Sequence, residues 1–84
     1  MKVYLDRDAV KFIQKLKEDD KKRILRRFKA LEIDPFIGKK LKGRENTYSL
    51  RVGKYRIIYE IHFEINEIWV LKIDKRERVY ERLE

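Results

Sequence analysis

Two arginines flank a predicted tight turn, where their guanidinium groups could together bind a phosphate. In the segment YSLRVGKYRIIYEI, Gly53 and Lys54 form a two-residue loop with glycine first, as a type II′ hairpin turn requires. This register places Arg51 directly opposite Arg56 on the neighbouring strand. The same register predicts the pairs Val52–Tyr55, Leu50–Ile57 and Tyr48–Tyr59.

The opposed arginines need an explanation, because like charges directly across a strand pair destabilise it by roughly 0.2–1 kcal/mol. In one interpretation, Glu60 or a glutamate near the C-terminus neutralises the pair, or the long side chains splay into water. In the other, an anion binds between Arg51 and Arg56, since two guanidinium forks on a rigid sheet suit bidentate binding of phosphate. We favour the second interpretation.

Side-chain alternation predicts that the two arginines lie on the face of the hairpin that is not needed for packing. The apolar face carries Tyr48, Leu50, Val52, Tyr55, Ile57, Tyr59, Ile61 and Phe63. The polar face carries Ser49, Arg51, Arg56, Ile58, Glu60 and His62. We therefore expect the apolar face to receive helices from the N-terminal half of the chain.

The N-terminal half predicts a strand and two helices that could cover this face. Lys2 to Leu5 is a predicted strand, and Asp6 is a plausible N-cap for the first helix. Asp19 or Asp20 can cap a second helix that runs to about Glu32. The apolar stripes of the two helices are Ala9, Phe12, Ile13 and Leu16, and then Ile24, Phe28 and Leu31 with help from Leu25.

A proline ends the second helix, and a predicted loop, IGKKLKGRENT, leads to three further strands. These strands are predicted at about Thr47 to Val52, Tyr55 to Phe63 and Ile68 to Ile73. The expected fold is α+β with the order βααβββ: an N-terminal helical hairpin packed on one face of an antiparallel sheet. The helix-friendly residues of the last segment, DKRERVYERLE, favour a short C-terminal turn or helix after the last strand. Residues 1–84 are enough for a single domain with one modest core.

Composition narrows the chemistry and the partners. The chain has no cysteine and one histidine, His62, so thiolate sites and histidine metal sites are excluded. The net charge of +8 favours an anionic partner, with nucleic acid first. No apolar run is long enough to span a bilayer and no signal peptide precedes the first strand, so we expect a cytoplasmic protein without membrane contact.

The positive charge is concentrated in one region that includes the hairpin. Seven cations fall between positions 39 and 56, against Glu45 as the one anion there. They are Lys39, Lys40, Lys42, Arg44, Arg51, Lys54 and Arg56. A charge that served only solubility would be spread over the chain, so this cluster is a candidate RNA or phosphate-binding surface.

Other candidates have a plainer structural explanation. His62 is expected to be a surface or edge residue, and Trp69 and Phe63 are expected to belong to the core and not to form base-stacking platforms. Tyr80 follows Arg76 and Arg78 in KRERVY, and a cationic neighbourhood lowers a phenol's pKa, so it could act as an acid or base or orient a ribose. The alternative is a tyrosine that caps the sheet edge, and spacing alone does not decide between them.

The helical hairpin, the run LKGRENTYSLRVGKYRIIYEI and the terminal KRERVY together resemble the RelE branch of the RelE/ParE superfamily of type II toxin–antitoxin toxins. The resemblance spans the chain from the first strand to Tyr80. It implies a metal-free ribonuclease that cleaves mRNA in the ribosomal A site and requires no cofactor. The 2′-hydroxyl attacks the adjacent phosphate, which gives a 2′,3′-cyclic phosphate and a 5′-hydroxyl.

The resemblance also implies roles for individual residues. By position, Arg51, Arg56, Arg76 and Tyr80 would be the catalytic set, with Arg56 and Arg76 stabilising the phosphate and protonating the leaving oxygen and Tyr80 orienting the nucleotide. Lys39, Lys40, Lys42, Arg44, Lys54 and Arg78 would contact RNA. Ser49 stands where the best-known RelE pattern has a lysine as candidate base, and Arg51 replaces a second lysine, so the general base is left open.

Partners follow from the same resemblance. RelE-like toxins are inhibited by an acidic RelB-like antitoxin, usually encoded beside them, and the pair binds operator DNA through the antitoxin. The ribosome-bound mRNA would be the substrate. Two alternatives remain: a ParE-type toxin that inhibits DNA gyrase without cleaving RNA, and an RNA-binding homologue with little or no activity.

Overall fold

The computed structural model describes residues 1–75, in which two helices pack on one face of a five-stranded sheet. Strand β1 spans Lys2–Leu5, helix α1 spans Arg7–Gln14 and helix α2 spans Glu18–Ile33. The remaining strands are β2 at Lys39–Lys40, β3 at Thr47–Val52, β4 at Tyr55–His62 and β5 at Glu67–Lys75. The α+β class and the helical hairpin are confirmed.

The sheet is mixed, which corrects the expected antiparallel sheet. Its strand order is β1-β5-β4-β3-β2, and β1 runs parallel to β5 while every other pair is antiparallel. Two parallel strands cannot be joined by a tight turn. Strand β1 can pair with β5 in parallel because both helices and the other three strands lie between them in the sequence. The predicted short C-terminal helix lies outside the described residues.

Strand β2 replaces part of the predicted loop, so the observed order is βααββββ. The phenol of Tyr59 holds the chain just before this strand: Gly38 N–H donates to Tyr59 Oη (3.1 Å), and Tyr59 O–H donates to Pro35 O (2.8 Å). A Cβ atom at Gly38 would lie 2.5 Å from Tyr59 Oη and 2.9 Å from Ser49 O. Glycine is therefore needed there for the close approach of β2.

The predicted N-cap of the first helix is confirmed, and that of the second helix is wrong. Asp6 caps α1 as expected, because its Oδ1 accepts a hydrogen bond from Ala9 N–H at 2.8 Å. The N-cap of α2 is Lys17, so the prediction of Asp19 or Asp20 as the cap is wrong. Both aspartates lie in the first turn of the helix instead, where their negative charges interact favourably with the helix dipole.

The core lies between the helices and one face of the sheet. It contains Ala9, Ile13, Ile24, Phe28, Leu31, Tyr48, Leu50, Val52, Tyr55, Ile57, Tyr59, Ile61, Ile68, Val70 and Ile73, with Phe12 and Leu16 packed against it. The predicted helical stripes and the apolar face of the hairpin are thus confirmed, with two exceptions, Leu25 and Phe63. None of the helices in residues 1–75 is long and apolar enough to cross a membrane.

Three predicted core residues are exposed. Leu25 is 47% exposed because it lies one position beyond the buried stripe of α2. Phe63 is 48% exposed because β4 ends at His62 and the chain enters a 3₁₀ turn, which Asn66 closes with a φ of 58°. Trp69 is 43% exposed because it alternates with Ile68 and Val70, whose side chains face the helices.

Candidate functional site

The sheet face that points away from the helices, which we call the far face, carries the predicted hairpin arginines. Pairing across the strands arranges its side chains in transverse rows. One row contains Arg51, Arg56 and Asp74, and the next contains Lys39, Ser49, Ile58 and Lys72. The rows beyond them contain Thr47, Glu60, Trp69 and Tyr4, and then His62, Glu67 and Lys2.

The predicted hairpin register is confirmed, including the opposition of Arg51 and Arg56. Gly53 has a φ of 57° and Lys54 is not in the positive-φ region, as expected for a type II′ turn. Arg51 is exposed and Arg56 is half-buried. The two side chains leave neighbouring strands at adjacent positions on the same face, so both guanidinium groups can reach one phosphate.

Ser49 fixes the position of Arg56. Arg56 Nη1 donates a hydrogen bond to Ser49 Oγ at 2.9 Å, and Ser49 is only 5% exposed. Sequence reasoning noted Ser49 for a missing lysine and did not foresee this bond. The signal was present, because the confirmed register places Ser49 diagonally across from Arg56 on the same face. We call Lys39, Ser49, Arg51 and Arg56 the arginine site.

Asp74 is a second feature that sequence reasoning missed. It is buried, it is the cross-strand partner of Arg56 on β5, and its Oδ1 accepts a hydrogen bond from Lys75 N–H at 2.8 Å. Arg56 therefore has an arginine on one flank and a carboxylate on the other. Glu60, which sequence reasoning considered as a neutralising group, instead lies 3.1 Å from His62 Nε2.

The other predicted contact residues divide between the two faces. Lys39 pairs with Ser49, so strand β2 brings this exposed lysine to the arginine site. Lys40 pairs with Tyr48 and lies on the helix side of the sheet. Lys54 Nζ lies 5.7 Å from the centre of the Tyr55 ring, a cation–π contact away from the arginine pair.

Lys42 and Arg44 lie together in the loop between β2 and β3. A hydrogen bond from Leu41 N–H to Thr47 O (2.9 Å) closes the base of this loop. Both cations are exposed, and they line an open cavity of about 360 Å³ together with Lys40. Arg76, Arg78 and Tyr80 lie outside the described residues, so their predicted roles remain predictions.

The pKa shifts resolved in the described residues belong to tyrosines outside the arginine site, on the helix side of the sheet. Burial, then Asp20, raises the pKa of Tyr55, and burial raises the pKa of Tyr59 to about 12. Within residues 1–75, no group of three or more histidine, aspartate or glutamate side chains is placed to hold a metal ion. The described site offers guanidinium and ammonium groups for charge stabilisation, with a hydroxyl that orients one of them.

Known proteins resemble this chain in sequence and in fold. The profile of a family described as ParE toxin of the type II toxin–antitoxin system parDE matches residues 3–80. A relative from Methanocaldococcus jannaschii that carries the name RelE1 is 28% identical over 83 residues, which cover 93% of this chain and 92% of the relative.

Solved structures agree with the sequence match. In the crystal structure of the archaeal RelE–RelB complex from Pyrococcus horikoshii, a chain matches with a TM-score of 0.83 and 30% identity, over 92% of this chain and 96% of that one. The isolated RelE toxin of E. coli matches with a TM-score of 0.79 over 95% of this chain and 90% of that one, and at 24% identity it supports the fold alone. This chain therefore belongs to the RelE/ParE superfamily of type II toxin–antitoxin toxins, as a member of its RelE family.

Proposed function

We propose that this toxin is an endoribonuclease that cleaves mRNA in the ribosomal A site and so inhibits translation. One observation carries the proposal: two arginines face each other on the far face, and the hydroxyl of Ser49 holds one of them. Packing does not require these charges, because the core lies on the other side of the sheet. An anion that binds both guanidinium groups offsets their mutual repulsion.

The proposed reaction uses the 2′-hydroxyl of the RNA as its nucleophile and no metal ion. The 2′-oxygen loses its proton to a base and forms a bond to the adjacent phosphorus, while the bond from phosphorus to the 5′-oxygen breaks. The products are a 2′,3′-cyclic phosphate and a 5′-hydroxyl. Negative charge accumulates on the phosphoryl oxygens in the transition state, and preorganised cations stabilise that charge most effectively.

Each residue of the arginine site has a distinct place in this scheme. Arg56 donates to the phosphoryl oxygens from a guanidinium group that Ser49 Oγ and the sheet already orient. Arg51 lies opposite and supplies a second fork, and Lys39 supplies a third positive charge from β2. By resemblance, Arg76 completes the charge stabilisation and protonates the leaving 5′-oxygen, and Tyr80 orients the nucleotide.

A cytoplasmic RelB-like antitoxin is the proposed inhibitor of this toxin. The Pyrococcus horikoshii relative was solved as a RelE–RelB complex. The net charge of +8 makes the present chain a suitable electrostatic target for an acidic partner. We expect operator DNA to bind only through the antitoxin complex.

A second candidate function is inhibition of DNA gyrase, which the ParE description of the matching family profile favours. The two functions leave different traces in cells. A ribosome-dependent nuclease produces codon-positioned cuts in mRNA, whereas a gyrase inhibitor leaves mRNA intact and blocks supercoiling. Primer-extension mapping of cellular mRNA combined with a supercoiling assay separates them.

The direct test is the substitution Arg56→Ala, assayed by cleavage of mRNA on programmed ribosomes. Removing one preorganised donor to the transition state typically lowers the rate by about 10²–10³-fold, and we expect a loss of that size. Arg26→Ala removes the same charge from the exposed surface of α2 and serves as the matched control. Equal activity of wild type and the Arg56 variant, or equal losses in the two variants, would reject the arginine site.

A further inference from the structure

Within residues 1–75, the far face carries three aromatic rings that the proposed chemistry does not use: Tyr4, His62 and Trp69, which we call the aromatic cluster. Tyr4 and Trp69 are cross-strand partners on β1 and β5, and they are 45% and 43% exposed. The rings of His62 and Trp69 contact each other with centroids 4.6 Å apart and an angle of 35°. Large aromatic side chains that stay exposed on a sheet face need a reason other than packing.

Two glutamates hold the cluster in place. Trp69 Nε1–H donates to Glu67 Oε1 at 2.9 Å, and His62 Nε2 lies 3.1 Å from Glu60 Oε1. The polar edges of both rings thus contact carboxylates, which restrains the orientation of the rings, and the indole ring of Trp69 stays 43% exposed. The arrangement is a fixed aromatic surface, not a set of side chains that happen to be exposed.

A cavity of about 290 Å³ adjoins the cluster at the β1 edge of the sheet. Tyr4 and Trp69 both line it with Leu71, and Asp6 and Glu67 lie at its border. Its volume is close to the lower end of the range for small-molecule sites, about 300–1,000 Å³. The cavity therefore suits a flat, mostly apolar group that enters beside the indole ring.

The aromatic cluster shares one continuous face with the arginine site. Trp69 is the cross-strand partner of Glu60, which lies four residues along β4 from Arg56, a separation of about 13 Å at 3.3 Å per residue. Proteins that bind single-stranded nucleic acid combine a cationic track for the backbone with aromatic side chains on which bases stack. Both parts are present here on neighbouring areas of the same sheet.

We propose that the aromatic cluster is a nucleobase-stacking site, occupied by a base of the same single-stranded RNA whose phosphate binds at the arginine site. The inference rests on the proposed function for the identity of the ligand. The carboxylates of Glu60 and Glu67 repel phosphate, so the sugar-phosphate backbone stays on the cationic side and only a base reaches Trp69.

Trp69 is the only tryptophan in the chain, so its fluorescence reports directly on this site. The probe is a short 2′-deoxy oligonucleotide, which binds but lacks the nucleophile. We expect it to quench Trp69 fluorescence. An oligonucleotide of the same length without bases should bind the arginine site with little quenching, and equal quenching by both would overturn the proposal.

Substitutions at position 69 separate stacking from bulk, with affinity measured by the anisotropy of a labelled oligonucleotide. Loss of base stacking corresponds to about 1–3 kcal/mol, so Trp69→Ala and Trp69→Leu should both weaken binding by about 5–150-fold, whereas Trp69→Phe should stay close to wild type. Phe63→Ala is the matched control, because Phe63 is 48% exposed but stacks on Phe36 outside the cluster. Wild-type affinity of both Trp69→Ala and Trp69→Leu would overturn the proposal.

Arg56→Ala distinguishes failure of this inference from failure of the proposed function. If Arg56→Ala weakens oligonucleotide binding and the position 69 variants do not, the stacking site is wrong while the arginine site stands. If neither kind of substitution changes oligonucleotide binding, the far face does not bind nucleic acid and both proposals fail. Weakened binding of a protein partner in Trp69→Ala with unchanged oligonucleotide binding would assign the cluster to protein docking and overturn the stacking site.

Discussion

Ile57 and Ile58 are consecutive residues of β4 that are 0% and 6% exposed, yet they belong to opposite faces of the sheet. Ile57 lies in the core beneath the helices, and Ile58 lies on the far face between Ser49 and Lys72. The helix side is almost wholly apolar, whereas the far face carries most of the strands' charges. A single strand thus contributes to stability through one face and to chemistry through the other, because the side chains of alternate residues contact different neighbours.

The largest expected difference between the faces is in stability. Ile57→Ala removes atoms from a closed core, where a large-to-small change typically costs about 2–5 kcal/mol including the cavity it leaves. Ile58→Ala removes the same atoms from a side chain that is 6% exposed and lies outside the core cluster, so we expect the smaller loss of about 2 kcal/mol or less. Urea unfolding curves of both variants measure the difference directly.

Equal destabilisation by the two substitutions would contradict this division. It would mean that the far face is packed as tightly as the core, and that folding as well as chemistry requires its residues.

Cleavage activity gives a second comparison of the two faces. Ile58→Ala disturbs the strand between Ser49 and Lys72 and should reduce cleavage at a temperature where the variant is still folded.

The helix side should also lose stability at alkaline pH, through the buried phenol of Tyr59. Its pKa is raised from 10 to about 12 in the folded protein, chiefly by burial, so the folded state favours the protonated form. The associated stability is present below pH 10 and is lost as the pH rises toward 12. A shift of two units corresponds to about 2–3 kcal/mol.

Tyr59→Phe provides the control for this pH dependence. The variant lacks the hydrogen bonds to Pro35 and Gly38 and should be less stable than wild type at pH 8. Its disadvantage should shrink as the pH rises from 10 to 12. In that range the phenol of Tyr59 ionises in the unfolded wild type but stays protonated in the folded wild type, which lowers the stability of the wild type only. Denaturant unfolding at several pH values measures the gap, and a gap that is constant over this range would disprove the assigned cause.

The hairpin was predictable from sequence because its information is local. A glycine-first turn of two residues determines the register, and the register determines which residues lie opposite each other. Strand β2 was not predictable in this way. It is two residues long, and the segment just before it is held by two hydrogen bonds: Tyr59 O–H donates to Pro35 O, and Gly38 N–H donates to Tyr59 Oη. Tyr59 is more than twenty positions away from both residues along the chain. The parallel pairing of β1 with β5 is likewise a long-range choice that periodicity cannot reveal.

The candidate site shows the same limit, with one avoidable error. Alternation in IWVLKI places Trp69 opposite in direction to Ile68 and Val70, so its exposure was available from the pattern that predicted the strand. The position of Asp74 beside Arg56 was not available, since β5 has a register irregularity against Ile58 and Tyr59 that shifts the pairing. Pairs that meet across an irregular strand require the structure.

The smallest expected effect tests how the far face positions its chemistry. Ser49→Ala removes the acceptor of the Arg56 hydrogen bond, and a hydrogen bond to a charged group contributes about 1.5–3 kcal/mol to the arrangement it maintains. Because the sheet still positions Arg56 opposite Arg51, we expect a decrease in kcat of about tenfold, which equals about 1.4 kcal/mol, with little change in KM.

Ser49→Thr keeps the hydroxyl and should retain most of the activity, which separates the loss of the acceptor from a change of packing at this buried position. The pH dependence of cleavage provides the second readout. If Ser49 only positions Arg56, Ser49→Ala lowers the rate by the same factor at every pH, since no titrating group has been removed. A change in the shape of the profile would instead place Ser49 in the proton transfer itself.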